Sequence, residues 1–139
     1  MKTDLPQSMQ IGTMIPKSVL TVLNQIYQVE KKITKLPEAS DMRRNIDKMK
    51  DAFADDGLPF VDGNGTPGTV SLTYEDPIGQ TFKETRTDLE ATIAGTSAEN
   101  LIVVDVIRPI IRATLKPGEG GISKIVQTGI VIVESRKEN

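Results

Sequence analysis

Residues 101–112 read LIVVDVIRPIIR, and residues 122–134 read ISKIVQTGIVIVE. Both stretches are dense in valine and isoleucine, which favour β-strands, and the glycine-rich segment KPGEGG joins them at 116–121. Two long strands with so much apolar surface must be buried against other parts of the chain. The C-terminal third, Leu101 to Glu134, therefore predicts the core of a β-domain that the rest of the chain covers or carries.

The first of these stretches is apolar on both faces, which is typical of a strand that is central or lies between a sheet and a covering layer. By simple alternation one face holds Leu101, Val103 and Ile107, and the other holds Ile102, Val104 and Val106. Asp105 interrupts the pattern, so we expect either an ion pair with an arginine or a β-bulge that turns it to solvent. Pro109 is expected to break the ladder, and Gly129 indicates a bend or a close backbone approach.

An amphipathic helix is predicted upstream, from Pro16, which suits a first helical turn, to Leu36, the residue before a proline. Its apolar positions alternate at spacings of 3 and 4, as in a heptad repeat. They are Val19, Val22, Ile26, Val29, Ile33 and Leu36. Two interpretations stay open: a helix that lies on its own domain, or a dimer interface. For a dimer, the width of the stripe favours a four-helix bundle.

A second helix is predicted from Ser40 or Asp41 to Gly57, where the glycine is the natural residue after the helix end. Its apolar face holds Met42, Ile46, Met49 and Phe53. Seven basic residues against three acidic ones lie between Lys31 and Lys50. This excess is either a solvated helix face or a patch for an acidic protein partner. The candidate partner-binding residues are Arg43, Arg44, Lys48 and Lys50.

Turn-rich segments and short apolar runs follow the helices. Residues 58–74 predict a β-hairpin, Asp76 to Gly79 a turn, and Leu89 to Ile93 a short strand, with Phe82 as a core anchor. The chain is therefore expected to have an α+β fold. A helical dimerisation segment at 1–57 precedes a small, mainly antiparallel β-domain at 58–139. The pattern leaves open whether residues 1–15 pack on the domain.

Composition narrows the function classes. The 139 residues include no Cys and no His, so catalytic triads, zinc fingers and haem ligation are excluded. The 17 basic and 19 acidic residues give a charge of −2, which argues against nucleic acid as a partner. Acidic residues such as Asp55, Asp56 and Asp62 lack the spacing of a calcium loop. We expect no cofactor, no metal site and no enzymatic activity.

No apolar stretch approaches the roughly 18 residues of a membrane span, and the first ten residues lack the apolar core of a signal peptide. The expected location is the cytoplasm, with no membrane partner.

Several of these segments together resemble the GrpE family, the nucleotide-exchange factors of DnaK-type chaperones. The likeness begins with the helix that ends in Gly57, followed by the turn DPIGQTF at 76–82 and the pair Glu90-Ala91. It continues through the valine-rich strand at 103–109 and the closing strand at 122–133. The resemblance is carried by residues from about Arg43 to Glu134.

The resemblance implies a fold and a function. In the family, paired helices join two chains, and the β-domain presses on the nucleotide-binding domain of the chaperone, so that ADP leaves. Gly57 matches the glycine at the helix end, which lies at the chaperone contact in the family. The expected function is therefore that of a homodimeric co-chaperone that promotes ADP release. The alternative is a structural or adaptor subunit that self-associates through the first helix and docks through its β-domain.

Overall fold

The computed structural model describes residues 15–61, 64–116 and 123–136. Two helices come first, α1 (Lys17–Ile33) and α2 (Ser40–Asp51), and a π-helical turn (Ala52–Asp56) extends α2. The strands described are β1 (Leu58–Val61), β2 (Pro67–Glu75), β3 (Leu89–Ala94), β4 (Leu101–Arg108), β5 (Ile110–Lys116), β6 (Ser123–Gln127) and β7 (Gly129–Ser135). This order confirms the predicted α+β fold. Residues 1–14, part of the 62–68 loop and the glycine-rich turn at 117–121 lie outside the described residues.

The strands form two sheets, with the orders β1-β2-β5-β6 and β3-β7-β4. Strand β1 pairs antiparallel with β2, as the predicted hairpin requires, and Pro59 lies on this edge strand. The pairs β2-β5, β5-β6 and β4-β7 are also antiparallel, whereas β3 pairs parallel with β7. The β-domain is thus mainly antiparallel, as predicted.

Each of the two long apolar stretches passes through both sheets. Strand β4 ends at Arg108 and β5 begins at Ile110 in the other sheet, because Pro109 has no N–H for a ladder. The second stretch changes sheets between Gln127 and Gly129. A Cβ at Gly129 would lie 2.8 Å from Leu89 Cδ2, so glycine permits the close approach predicted there. The two changes of sheet let each stretch contribute side chains to two cores.

Strand β4 corrects one expectation, because it is an edge strand of its sheet rather than a central one. The predicted bulge is present: the register shifts between Val103 and Asp105. The extra residue reverses the alternation after it, so Val106 is buried with Val103, while Ile107 is exposed. Asp105 is turned outward and lies 3.8 Å from the ammonium group of Lys31. The simple alternation assigned Val106 and Ile107 to the wrong faces because it did not include the bulge.

Three apolar cores hold the fold, and α1 contributes to each of them. The first contains Ile15, Leu23, Phe60, Val70, Leu72, Ile111, Ala113 and Leu115. The second contains Tyr27, Leu89, Leu101, Val103, Val106, Ile110, Val131 and Val133. The third lies between the helices and contains Ile26, Ile33, Ala39 and Ile46. Helix α1 therefore lies on its own sheets, with Leu23 and Tyr27 facing the strands and Ile26 and Ile33 facing α2.

The helix ends follow local backbone chemistry. Helix α1 ends at Ile33 rather than at the predicted Leu36, because residues 34–35 form a turn before Pro37. Helix α2 begins at Ser40 but has no side-chain capping bond. Gly57 ends the π-helical turn as predicted, with φ +69° and its N–H bonded to the carbonyl of Ala52. A Cβ at Gly57 would collide with the carbonyl of Val70, so glycine is required there on two grounds.

Candidate functional site

The basic residues of α2 divide into two groups that face different surroundings. Arg43 donates to the carbonyl of Thr34 at 3.3 Å, and Lys50 donates to Glu30 at 2.9 Å, so both are directed towards α1. Arg44 and Lys48 are four residues apart on the exposed side of α2 and form no ion pair within the described residues. The structure therefore does not bring the four predicted partner-binding residues onto one surface. Arg44 and Lys48 are the two of these residues that lie on the side of α2 away from α1.

Glu30 joins the two helices to the four-stranded sheet. One carboxylate oxygen accepts from the hydroxyl of Tyr74 at 2.9 Å, and the other accepts from Lys50 Nζ at 2.9 Å. Lys50 Nζ also lies 5.0 Å from the centre of the Tyr74 ring. Burial, followed by the hydrogen bond to Glu30, raises the pKa of Tyr74 above its ordinary value of 10.0. Lys50 thus stabilises the junction of α1, α2 and β2.

The six apolar residues predicted to form the dimer interface are divided between the interior and the surface. Ile26 and Ile33 are buried against α2, and Val19 packs at the edge of the first core. Val22, Val29 and Leu36 are exposed and are spaced by seven residues. Ile26 and Ile33 are therefore used in the core of the chain itself, whereas Val22, Val29 and Leu36 have no covering layer within the described residues.

Helix α2 repeats this arrangement. Ile46 is buried against α1, while Met42 and Met49, again seven residues apart, are exposed. Val22 and Val29 on α1, and Met42 and Met49 on α2, are rotated from the buried isoleucines by about 40–60° around the helix axis. Leu36 lies beyond the end of α1. For α1 this rotation is away from Leu23 and Tyr27, the residues that contact the sheets. We call this exposed apolar surface the hairpin face; it consists of Val22, Val29, Leu36, Met42 and Met49, which are 43–54% exposed.

The turn at 76–82, which carries part of the resemblance, is fixed to the outer edge of β4. Gly79 N–H donates to the carbonyl of Val103 at 2.8 Å, and Val103 N–H donates to the carbonyl of Gln80 at 2.9 Å. Phe82 N–H donates to the carbonyl of Leu101 at 2.8 Å, and the half-buried Phe82 ring packs against the second core. Asp76 accepts from the N–H of Ile78 at 3.0 Å. The turn therefore occupies backbone groups that an edge strand would otherwise expose.

Ion pairs connect the chain after this turn to the neighbouring strands. Arg86 makes two hydrogen bonds to the carboxylate of Asp88, at 3.0 and 2.9 Å, and these lower the pKa of Asp88. Arg112 pairs with Glu75 at 3.0 Å, and Arg108 lies 3.7 Å from Glu90. Each of these acidic side chains therefore lies beside an arginine.

The outer face of the three-stranded sheet is apolar, as the sequence indicated for Ile102 and Val104, but its exposure was not predicted. Ile102, Ile130 and Ile132 are half-buried there, and Val104, beside the bulge, is 41% exposed. The apolar run on both faces of β4 was the available signal, but it was interpreted as evidence for a central strand or for a strand between a sheet and a covering layer. This face is a second exposed apolar surface, on an element different from the hairpin face.

Comparisons with protein-family models, with curated proteins and with solved structures found no match to the chain. Of the helices in the described residues, neither is long and apolar enough to cross a membrane. The partner-binding and dimer residues stay predictions, now with their positions in the fold defined.

Proposed function

We propose that this chain is a co-chaperone-like binding protein that promotes ADP release from a DnaK-type chaperone in the cytoplasm. It acts without a catalytic side chain, as a binding protein that favours one conformation of its partner. A protein that binds the open form of an ATPase domain more tightly than the closed form shifts the population towards the open form. The bound nucleotide then dissociates faster.

The observation that supports this proposal is the tertiary position of the residues that carry the GrpE resemblance. The turn at 76–82 is bonded to β4, Glu90-Ala91 lies on β3, and β3 and β4 flank β7. Strand β7 is the second part of the closing stretch 122–133, whose first part, β6, lies in the other sheet. Segments that are far apart in the sequence thus form one small sheet with its turn. A resemblance spread along the chain is more informative when its parts form one structural unit.

The exposed positive charges of α2 indicate where the chain contacts its partner. Arg44 and Lys48 are exposed neighbours on α2, and no acidic residue among those described neutralises them by an ion pair. Complementary charge mainly increases the association rate and fixes the orientation of a complex. We therefore place the contact with an acidic surface of the chaperone at Arg44 and Lys48, with Gly57 at the adjacent helix end.

The hairpin face is the surface through which we propose that two copies of the chain form a dimer. Its apolar residues follow a heptad spacing on both helices and face away from the sheets, so two copies can pair them in a four-helix bundle. Pairing through this face leaves the β-domain of each copy available to a chaperone. The proposed homodimer does not need Ile26 and Ile33, which the fold already uses.

The test is the release of fluorescent ADP from the ATPase domain of the DnaK-type chaperone encoded in the same genome. We expect faster release as the chain is added, with a saturable dependence. The variant Arg44→Glu, Lys48→Glu should need a higher concentration for the same rate, and the requirement should increase at low salt, where charge repulsion is least screened. Release that is unchanged at saturating concentrations of the folded chain would overturn the proposal.

A matched control uses acidic substitutions on another surface. Arg136 is exposed directly after β7, a strand of the three-stranded sheet. Arg136→Glu should leave the acceleration unchanged. If it reduces the acceleration as much as the α2 variant does, the contact is not at Arg44 and Lys48.

An adaptor subunit is the second candidate, favoured by the two apolar surfaces on different elements. In that case the hairpin face joins copies, and the outer face of the three-stranded sheet docks into a larger assembly. This function predicts a dimer with no effect on nucleotide release. It also predicts that Val104→Glu abolishes docking while the dimer persists.

A further inference from the structure

A pocket of about 230 Å³ lies between α1, α2 and the turn after β2. It is lined by Tyr27, Glu30, Lys31, Ile33, Thr34, Arg43, Ile46, Asp47 and Asp76. The volume is below the roughly 300–1,000 Å³ that is typical for drug-sized ligands. A molecule that fits here must be small.

The pocket contains a buried polar group without a partner. Tyr27 is only 1% exposed, and its hydroxyl has no hydrogen-bond partner among the described residues. A buried hydroxyl without a partner costs roughly 1–3 kcal/mol. Burial, followed by the nearby carboxylate of Asp76, raises the pKa of Tyr27, so the hydroxyl keeps its proton. This group is available both to donate and to accept a hydrogen bond from a ligand.

Charges of both signs line the pocket around this hydroxyl, on the exposed residues Arg43, Asp47 and Asp76. Arg43 and Asp47 are one turn apart on α2, close enough to pair with each other, yet no ion pair joins them. Within the described residues Asp47 has no hydrogen bond; Asp76 accepts from the N–H of Ile78, and its carboxylate lies close to the Tyr27 hydroxyl. Glu30, in contrast, is fully engaged by Lys50 and Tyr74. The charges left over are thus a guanidinium and two carboxylates, beside the ammonium of Lys31.

We infer that this pocket binds a small zwitterion of the amino-acid class. The ligand carboxylate binds Arg43, the ligand ammonium binds Asp47 and Asp76, and the Tyr27 hydroxyl completes the hydrogen bonds. A ligand that carries both charges a few bonds apart matches Arg43 and Asp47, which lie one helical turn apart. An anion alone would leave the carboxylates unpaired, and a cation alone would leave the guanidinium unpaired. The inference is independent of the proposed exchange activity.

The first experiment is a panel of the common amino acids, tested singly for binding by titration calorimetry and for an increase in the melting temperature of the full chain. A ligand that binds only the folded state raises that temperature, and the rise continues with the logarithm of the ligand concentration above its Kd. We expect one amino acid, or a chemically related few, to bind. If none of them binds, the inference is overturned.

The second experiment uses derivatives of the amino acid that binds. The amide lacks the carboxylate charge and the N-acetyl form lacks the ammonium charge. Each should bind at least about tenfold more weakly, since each loses one charged hydrogen-bond set. A derivative that binds as tightly as the amino acid would overturn the zwitterion assignment.

The third experiment uses three variants that leave the packing largely intact. Tyr27→Phe removes only the unpartnered hydroxyl, Arg43→Gln removes the guanidinium, and Asp76→Asn keeps an acceptor for Ile78. Each should weaken binding about tenfold or more, while Tyr27→Phe leaves the melting temperature of the free chain unchanged or higher. The matched control Arg44→Gln, on the other side of α2, should bind normally. Equal binding by Arg43→Gln and Arg44→Gln would place the ligand elsewhere and overturn the inference.

Discussion

Asn24 and Gln127 exchange side-chain amide hydrogen bonds across 103 positions of sequence. Asn24 Nδ2 donates to Gln127 Oε1 at 2.9 Å, and Gln127 Nε2 donates to Asn24 Oδ1 at 2.8 Å. Gln127 Nε2 also donates to the carbonyl of Pro109 at 3.0 Å. The pair therefore fixes α1 to the two places where the long apolar stretches change sheets.

This amide pair gives the first prediction. Asn24→Leu should lower the free energy of unfolding by about 1–3 kcal/mol, because it leaves Oε1 of the buried Gln127 amide without a donor. The double variant Asn24→Leu, Gln127→Met should lose less than the sum of the single losses, since it removes both polar groups. Denaturant unfolding measures all of these values. Additive losses would mean that the two amides do not stabilise the fold through each other.

Gly57 gives the second prediction. Gly57→Ala should cost about 1–3 kcal/mol or more, because the residue combines positive φ with a collision at the carbonyl of Val70. Gly95→Ala is the matched control, since Gly95 also has positive φ but nothing within 4 Å of an added Cβ. Its cost should be the smaller of the two when thermal unfolding is compared. Equal costs would show that φ alone sets the requirement for glycine.

The hairpin face gives the third prediction. Val29→Glu with Met49→Glu should convert a dimer to a monomer without lowering the stability of the monomer, because both side chains are exposed. Ile26→Glu should instead unfold the chain, since it places a charge in the core between α1 and α2. Sedimentation equilibrium and circular dichroism separate the two outcomes. A wild-type chain that is a monomer at high concentration would remove the hairpin face as a dimer interface.

The tyrosines give the fourth prediction. The chain has two, and the rings of Tyr27 and Tyr74 meet edge to face with centroids 5.6 Å apart. Burial raises the pKa of each above the ordinary 10.0. Below that pH the tyrosines should not affect how stability varies with pH. Above it the free energy of unfolding should decrease, because the unfolded chain can release both protons while the folded chain retains them.

The measurement is a titration of tyrosinate absorbance, followed in parallel by circular dichroism. We expect tyrosinate to form only as the fold is lost. A tyrosinate signal with a midpoint near 10.0, the ordinary value, in a chain that keeps its folded spectrum would contradict the assignment. Tyr74→Phe should leave one tyrosine, Tyr27, with the same delayed ionisation.

Much of the fold was predictable because it depends on local patterns. The heptad spacing of α1, the hairpin of β1 and β2, and the glycine at position 57 are each encoded within a few residues. The bulge at Asp105 was one of two interpretations of a charge within an apolar run, and the structure confirms it; the ion pair that Asp105 forms is with Lys31 rather than with the predicted arginine. The consequence of the bulge for Val106 and Ile107 was missed, since alternation was counted without the extra residue.

The candidate sites depend on long-range packing, so they were harder to predict from local sequence patterns. Arg43, Arg44, Lys48 and Lys50 form one cluster in sequence but separate into two groups once α1 packs beside α2. The pocket at Tyr27 combines residues of α1, α2 and the turn at 76–82, so no local spacing indicates it.

By itself, the sequence determined that two amphipathic helices precede a small β-domain built on Leu101 to Glu134, because hydrophobic period and turn chemistry act over short distances. Only the tertiary structure decided that these two stretches each serve two sheets, and that α1 covers both. An apolar stripe in the sequence indicates that its residues need apolar neighbours, but it does not indicate which residues those neighbours are. The choice between a second chain and the same chain depends on how all the faces pack together.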